Sequence, residues 1–416
     1  MTATTDFVGV RVFSGLSDQI VSIDTRDSTI PGLVGPLPGI APADETKIPY
    51  DEPFRIPLDS PSVLAMLGPG QIQDACSQML LEGIVTDVVL SRSRIPASGT
   101  IDAQLAAVAG DPGQKTGVFA LLHGLDELKL EPGLIAAPGF TSQRLGGLKN
   151  PVAAAIDSVC TSIIDCLGVT ATPATSREDA VTWAQDFATS LNILAMYPQG
   201  VFELGGEVVR DLAPSVIGAI IRNDKANGNP YKAFWNKPII GCLGPSQRVS
   251  YRDGDTSSDA NYLNQRGVGT VIEGNLLWAP YTTATDPTIV GYRSVKRIRT
   301  RRAIEKAMLR PLRAYLASDL GPHSVTLVGT ALDQACAERK AIGAIIDYQV
   351  LFSRGLNPNS LLKKGGLRLK LRFEETPDLT DLGIYSTPEP EAFDVLAAAI
   401  QSSIDQLGSS TFRAVA

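Results

Sequence analysis

Residues 295–315 read VKRIRTRRAIEKAMLRPLRAY, and VGTALDQACAERKAIGAI (328–345), IIDYQVLF (345–352), SRGLNPNSLLKKGG (353–366) and LRLKLRF (367–373) follow. The first stretch is a densely basic helix, the second an amphipathic one, and the third an extended segment. In the last, Leu367, Leu369, Leu371 and Phe373 alternate with Arg368, Lys370 and Arg372. A period of two predicts a half-buried strand with one apolar and one cationic face. The C-terminal third therefore reads as helix, helix, strand, Asn-rich turn and strand.

Around this stretch, composition sets the limits. A chain of 416 residues can hold two or more domains with separate cores, and 44% hydrophobic with 19% charged residues describes a folded chain. No apolar run is long enough to cross a bilayer, so no membrane insertion is expected. MTATTDFVGVRV has neither a basic start nor an apolar signal core, which predicts folding in a cytoplasm. The net charge of −7 is uneven: residues 291–376 carry 17 Lys and Arg against 7 Asp and Glu. Such a run is a solvated basic face, or a patch for an acidic partner or the acidic part of another copy. Overall acidity, and a basic run without interleaved aromatics, argue against nucleic acid.

The five cysteines, Cys76, Cys160, Cys166, Cys242 and Cys336, show no zinc spacing. Cys160 and Cys166 stand roughly 120° apart if one helix holds both, so buried free thiols are expected rather than a pair. His123 and His323 are the only histidines, and neither has a serine-elbow context. GDPGQKTG (110–117) has only two residues between Gly110 and Gly113, and Gln114 separates Gly113 from Lys115, so it fails as a phosphate loop. No catalytic, cofactor or metal residue is assigned; the alternative function is a soluble, hydrolase-like α/β enzyme whose site goes unrecognised.

Along the rest of the chain, Val8, Val10 and Val12 alternate with Phe7 and its neighbours, a lone terminal strand that needs a sheet to join. Residues 40–59 read as a surface loop. A helix follows with Ile72, Cys76, Met79 and Leu80 on one face, then a strand in VTDVVLSRSRI (85–95). Helices are expected in 113–128, 151–168 and 176–188, the last opened by Ser176 with Asp179 three residues on. Strands are expected in 132–139 and 191–198. This alternation predicts an α/β layered domain. In the tail, Phe393, Leu396, Ala397, Ile400, Ile404 and Leu407 form a helical stripe.

RIRTRRAIEKAM (297–308), AIGAIIDYQVLF (341–352), LNPNS (356–360) and GGLRLKLRFEETPDL (365–379), in that order, resemble the C-terminal domain of contractile tail sheath proteins of phages and tailocins. The similarity extends to VGVRV (8–12), STIPGLVGPLPG (28–39), which resembles the family's early buried strand, TGVFALL (116–122), LIAAPG (134–139) and the set Pro214, Ser215, Asp224, Gly228, Trp235, Asn236, Pro238 and Gly241. Trp278-Ala-Pro-Tyr-Thr departs from the family's Trp-Gly-x-Arg-Thr. The resemblance implies an α/β chain, α+β overall: an N-terminal arm (1–27) completing a sheath C-terminal domain (241–376), an inserted α/β domain (28–240), and a C-terminal arm with a terminal helix (377–416). It implies a non-enzymatic subunit without cofactors, polymerising as stacked hexameric rings around a tail tube and contracting to drive that tube through a bacterial envelope. Implied partners are further copies, the tube protein, and baseplate and tail terminator proteins. The implied location is a phage virion or tailocin assembled in the host cytoplasm. Asp333, Arg339 and Lys340 fall on the family's tube-contact helix. Phe7, Val8, Val10, Val12, Leu382, Ile384 and Tyr385 fall on inter-subunit arms, and Leu367, Leu369, Leu371 and Phe373 on the sheet receiving them.

Overall fold

The computed structural model describes residues 29–96, 99–316 and 319–407. The expected first strand with Phe7, Val8, Val10 and Val12 lies outside the described residues. From Thr29 to Asp378 the described chain forms one compact unit, and a second unit begins at Leu379.

The centre of the first unit is an eight-stranded sheet, made of β1 (Pro31–Gly35), β2 (Pro53–Pro57), β3 (Asp87–Arg92), β4 (Leu134–Ala136), β5 (Leu167–Ala171), β6 (Ile193–Met196), β10 (Val268–Ile272) and β11 (Leu276–Trp278). Its order is β11-β10-β6-β5-β4-β1-β3-β2. The six inner strands are parallel, and β2 and β11 close the two edges antiparallel. Their sequences are almost wholly apolar because both faces are covered. Leu33, Val88, Leu90, Leu134, Ala136, Leu194 and Met196 enter one core, with α2 (Gln71–Leu81, after the short α1, Pro61–Met66) and α7 (Ala213–Asn227). Their neighbours Val34, Val89, Ile135, Ile193 and Ala195 enter the other. That face is covered by α3 (Ile101–Ala109), α4 (Gly124–Leu128), α5 (Pro151–Ser162), α6 (Arg177–Gln185) and α8 (Asp259–Gln265). Strands β7 (Gly200–Glu203), β8 (Glu207–Arg210) and β9 (Cys242–Pro245) make a small antiparallel sheet. Residues 268–278, beyond the expected domain border at 240, thus belong to the large sheet.

A third core is built by α9 (Val295–Leu312), α10 (Pro322–Ala341) and a hairpin of β12 (Ile345–Phe352) and β13 (Leu369–Glu375), with α11 (Asn359–Leu362) between its strands. Gly343, at φ +73°, turns the chain from α10 into β12, a backbone state costly for a side-chained residue. The second unit, from Leu379, has no helix or strand up to residue 389 and then α12 (Ala392–Gln406). None of the residues of α12 is buried.

Several local expectations are corrected. The supposed loop over 40–59 contains β2 and the buried Ile48, Ile56 and Leu58. An edge strand tolerates the terminal prolines Pro53 and Pro57, which made the segment read as a loop. Residues 113–128 are a turn, a 3₁₀ stretch (Gly117–His123) and only then α4. The helix expected over 151–168 stops at Ser162, and its last residues enter β5. The Ser176 cap is as expected, its Oγ accepting the Asp179 N–H at 3.1 Å.

Candidate functional site

Helix α9 does not present its cations to solvent as a face. Lys296, Arg299 and Lys306 are buried, and nearly every charge on the helix reaches a partner within the chain. Arg299 grips both carboxylate oxygens of Asp224 on α7, with Nη1 to Oδ1 at 3.1 Å. Burial pulls the Arg299 pKa down, but the Asp224 carboxylate more than offsets this and holds it above the ordinary value. Lys296 Nζ donates to the Thr376 carbonyl at 2.7 Å and lies 3.4 Å from Asp378 Oδ1. Arg297 and Arg301 both hold Glu375, and Arg301 also donates to the Phe373 carbonyl at 3.1 Å. Arg302 Nη1 donates to the Cys166 carbonyl at 2.7 Å, and Lys306 pairs with Glu131 at 2.6 Å. Arg299, Arg302 and Lys306 therefore tie the third core to the elements around the large sheet, while Lys296, Arg297 and Arg301 hold β13 and the residues just after it. For α9 the reading as a surface patch is corrected, because the acidic residues it needs come from distant parts of the same chain.

Trp235 and Trp278 meet edge to face at 5.2 Å beside these ties. The Trp235 Nε1 donates to Asp378 Oδ2 at 3.2 Å, so Asp378 serves this indole as well as Lys296. A buried indole N–H needs such an acceptor.

On α10 the three expected contact residues diverge. Arg339 is buried and donates from Nη1 to the Ala335 carbonyl at 3.1 Å and to Glu338. Lys340 is exposed, paired with Asp347 on β12 at 2.8 Å. Asp333 is exposed and its Oδ1 accepts the Tyr348 hydroxyl at 3.0 Å. The outward stripe also carries Gln334, Ala337 and Glu338, so its charge is mixed rather than cationic.

The β12–β13 hairpin holds the cations that do face water: Arg354, Lys363, Lys364, Arg368, Lys370 and Arg372. Leu369, Leu371 and Phe373 are half-buried and point into the third core, as the alternation predicts. Leu367 lies outside the strand. The Asn357 side chain accepts the Arg368 N–H and donates to the Arg368 carbonyl, both at 2.8 Å, so the backbone there is bound to the turn instead of β12. Among the described residues neither outer edge of the hairpin carries a third strand. Ile346 and Phe352 are exposed on β12. In the second unit, Leu382, Ile384 and Tyr385 are 70%, 82% and 98% exposed.

Where an α/β enzyme places its chemistry, beyond the carboxyl ends of the parallel strands, there is a cavity of about 240 Å³. Asp74 on its wall pairs with Arg210 at 2.7 Å, and Asp211 accepts the Gly139 N–H and Gln199. No histidine, serine or cysteine lines it.

No protein-family model matches the chain. It is 25% identical over 378 residues to a prophage major tail sheath protein of Pseudomonas aeruginosa (strain UCBPP-PA14), covering 88% of this chain and 93% of that one. To the major tail sheath protein of Serratia phage KSP20 it is 24% identical over 407 residues, covering 95% and 98%. Its fold matches the cryo-EM structure of the anti-feeding prophage helical sheath in the contracted state, with a TM-score of 0.66 at 15% identity over 93% of this chain and 100% of that one. These relatives and this neighbour are structural sheath proteins, not enzymes. The chain is a homologue of the phage and prophage tail sheath proteins, a structural subunit with the fold of contractile sheaths.

Proposed function

We propose that the chain polymerises as stacked hexameric rings in a helix around an inner tail tube and contracts to drive that tube through a bacterial envelope. The observation that carries this reading is the two-stranded hairpin, whose outer edges carry no third strand among the described residues, with the exposed apolar Ile346 and Phe352. A two-stranded sheet is marginal alone, and open edges accept further strands. The segment from Leu379 supplies a suitable strand in Leu382, Ile384 and Tyr385. It is also acidic: residues 379–407 carry Asp381, Glu389, Glu391, Asp394 and Asp405 and no lysine or arginine, against the cationic hairpin. In this reading the arms of one copy, including Phe7, Val8, Val10 and Val12, complete the hairpin sheet of another. Main-chain hydrogen bonds then persist while the subunits rotate.

The third core faces the tube through α10, with Lys340 rather than Arg339 as the cationic contact, and the large sheet lies outward. The tube, baseplate and tail terminator proteins are the remaining partners, and neither nucleic acid nor a nucleotide is required. The particle is a phage tail or tailocin, assembled in the host cytoplasm. Negative-stain microscopy of the concentrated protein tests this. Rings, tubules or cogwheel-like polymers are expected; a monodisperse small oligomer at every concentration would overturn it.

A further inference from the structure

Helix α5 stops six residues earlier than its apolar pattern suggests, and this changes the fate of two thiols. At Ile163 the backbone leaves the helical region (φ −100°, ψ 112°), and the chain folds back through Ile164 and Asp165 before entering β5. Cys166 is thereby returned to the last turn of α5, and its Sγ lies 3.1 Å from the Sγ of Cys160. Both side chains are buried, but the turn joining them is at the surface, with Thr161, Ser162 and Ile164 exposed. A disulfide is about 2.05 Å long, so the sulfurs need to approach by only about 1 Å.

We infer that Cys160 and Cys166 are an oxidation site, forming an intrachain disulfide when the folded protein meets a peroxide. One sulfur, as thiolate, attacks a peroxide oxygen; the O–O bond breaks, water leaves, and a sulfenic acid forms. The second sulfur attacks the sulfenic sulfur; the S–O bond breaks and a second water departs with the remaining thiol proton. Two thiols lose two protons and two electrons, and one hydrogen peroxide becomes two waters. Burial and the neighbouring Cys166 sulfur hold the Cys160 proton tightly, which leaves little thiolate and makes the oxidation slow.

The bond would close a seven-residue turn that α9 uses as an anchor. The Cys166 carbonyl accepts from Arg302, and Thr161 Oγ1 accepts from Asn192 Nδ2 at 2.9 Å, while Asn192 Oδ1 accepts from Arg302. Cross-linking therefore stiffens the place where the basic helix docks on the large sheet. This holds whether or not the chain assembles into a sheath.

One tryptic peptide, residues 150–177, carries both cysteines, which makes the test direct. Folded full-length protein is treated with hydrogen peroxide, denatured, alkylated with iodoacetamide and mapped by mass spectrometry. The peptide is expected two hydrogens lighter and free of alkyl groups, gaining two only after reduction. Oxidation should also raise the Tm by roughly 3–6 °C, an effect missing from C160S and from C166S. The inference is overturned if peptide 150–177 is doubly alkylated once methionines elsewhere are oxidised. It is equally overturned if these cysteines are recovered as sulfinic or sulfonic acids, or joined to another chain. The wild-type map decides even if a serine variant fails to fold.

Discussion

Arg299 of α9 and Asp224 of α7 form a two-pronged ion pair with both side chains buried, 75 residues apart in sequence. It is the innermost of the ties between the third core and the large sheet. Removing one partner leaves the other charged and unsolvated, so Asp224→Ala is expected to destabilise the folded subunit by about 3–5 kcal/mol. The double variant D224L/R299M should recover most of that loss, because it removes both charges and keeps the volume. Denaturant midpoints of the three proteins check this. A single variant costing less than about 1 kcal/mol would mean water reaches the pair.

Glu82 gives the fold a pH dependence. Burial pushes its pKa from 4.5 up to about 7, although Arg222 and the Ile240 N–H, which it accepts at 2.8 Å, pull the other way. A carboxyl with a higher pKa folded than unfolded binds more protons in the native state across that window. Its contribution to stability is full below about pH 4.5 and is lost as pH rises towards 7. Glu82→Gln should flatten this slope, a change of less than about 3 kcal/mol across the window, read from denaturation midpoints at stepped pH.

Neighbouring residues on α10 should separate folding from assembly. Arg339→Glu places a second charge beside Glu338 in a buried position and should lower soluble yield and thermal stability. Lys340→Glu is exposed and should leave circular dichroism and Tm within about 1 °C of wild type. The proposed tube contact requires that K340E subunits assemble poorly on tubes; normal extended tails from that variant would remove Lys340 from the interface.

Trimming after Asp378 should spare the fold, because Asp378 and the Thr376 and Pro377 carbonyls, which hold Lys296, are all retained. The trimmed chain is expected to keep its Tm but not to polymerise. A K370E/R372E hairpin should fold and assemble at least tenfold less readily, if acidic arm and cationic hairpin attract as proposed. Sedimentation of the two variants beside the parent measures both effects, and polymers of parental length from either would contradict the arm reading.

The amino-acid sequence by itself determined the elements whose signal is local. Period-two alternation at 369–373 placed a strand with its cationic face outward, and the apolar run at Ile193–Met196 marked a buried strand. Ser176 announced its helix through hydrogen bonding that spans only three residues. The order of these motifs also carried the family resemblance. Only tertiary structure decided what the charges and thiols do. The run from Lys296 to Lys306 looks like a surface patch until Asp224, Glu131, Glu375 and Asp378 arrive from elsewhere in the chain, because an ion pair depends on distance in space and leaves no periodic trace. Cys160 and Cys166 could not meet on one continuous helix, and they do so because the helix ends at Ser162 and the chain turns back before β5.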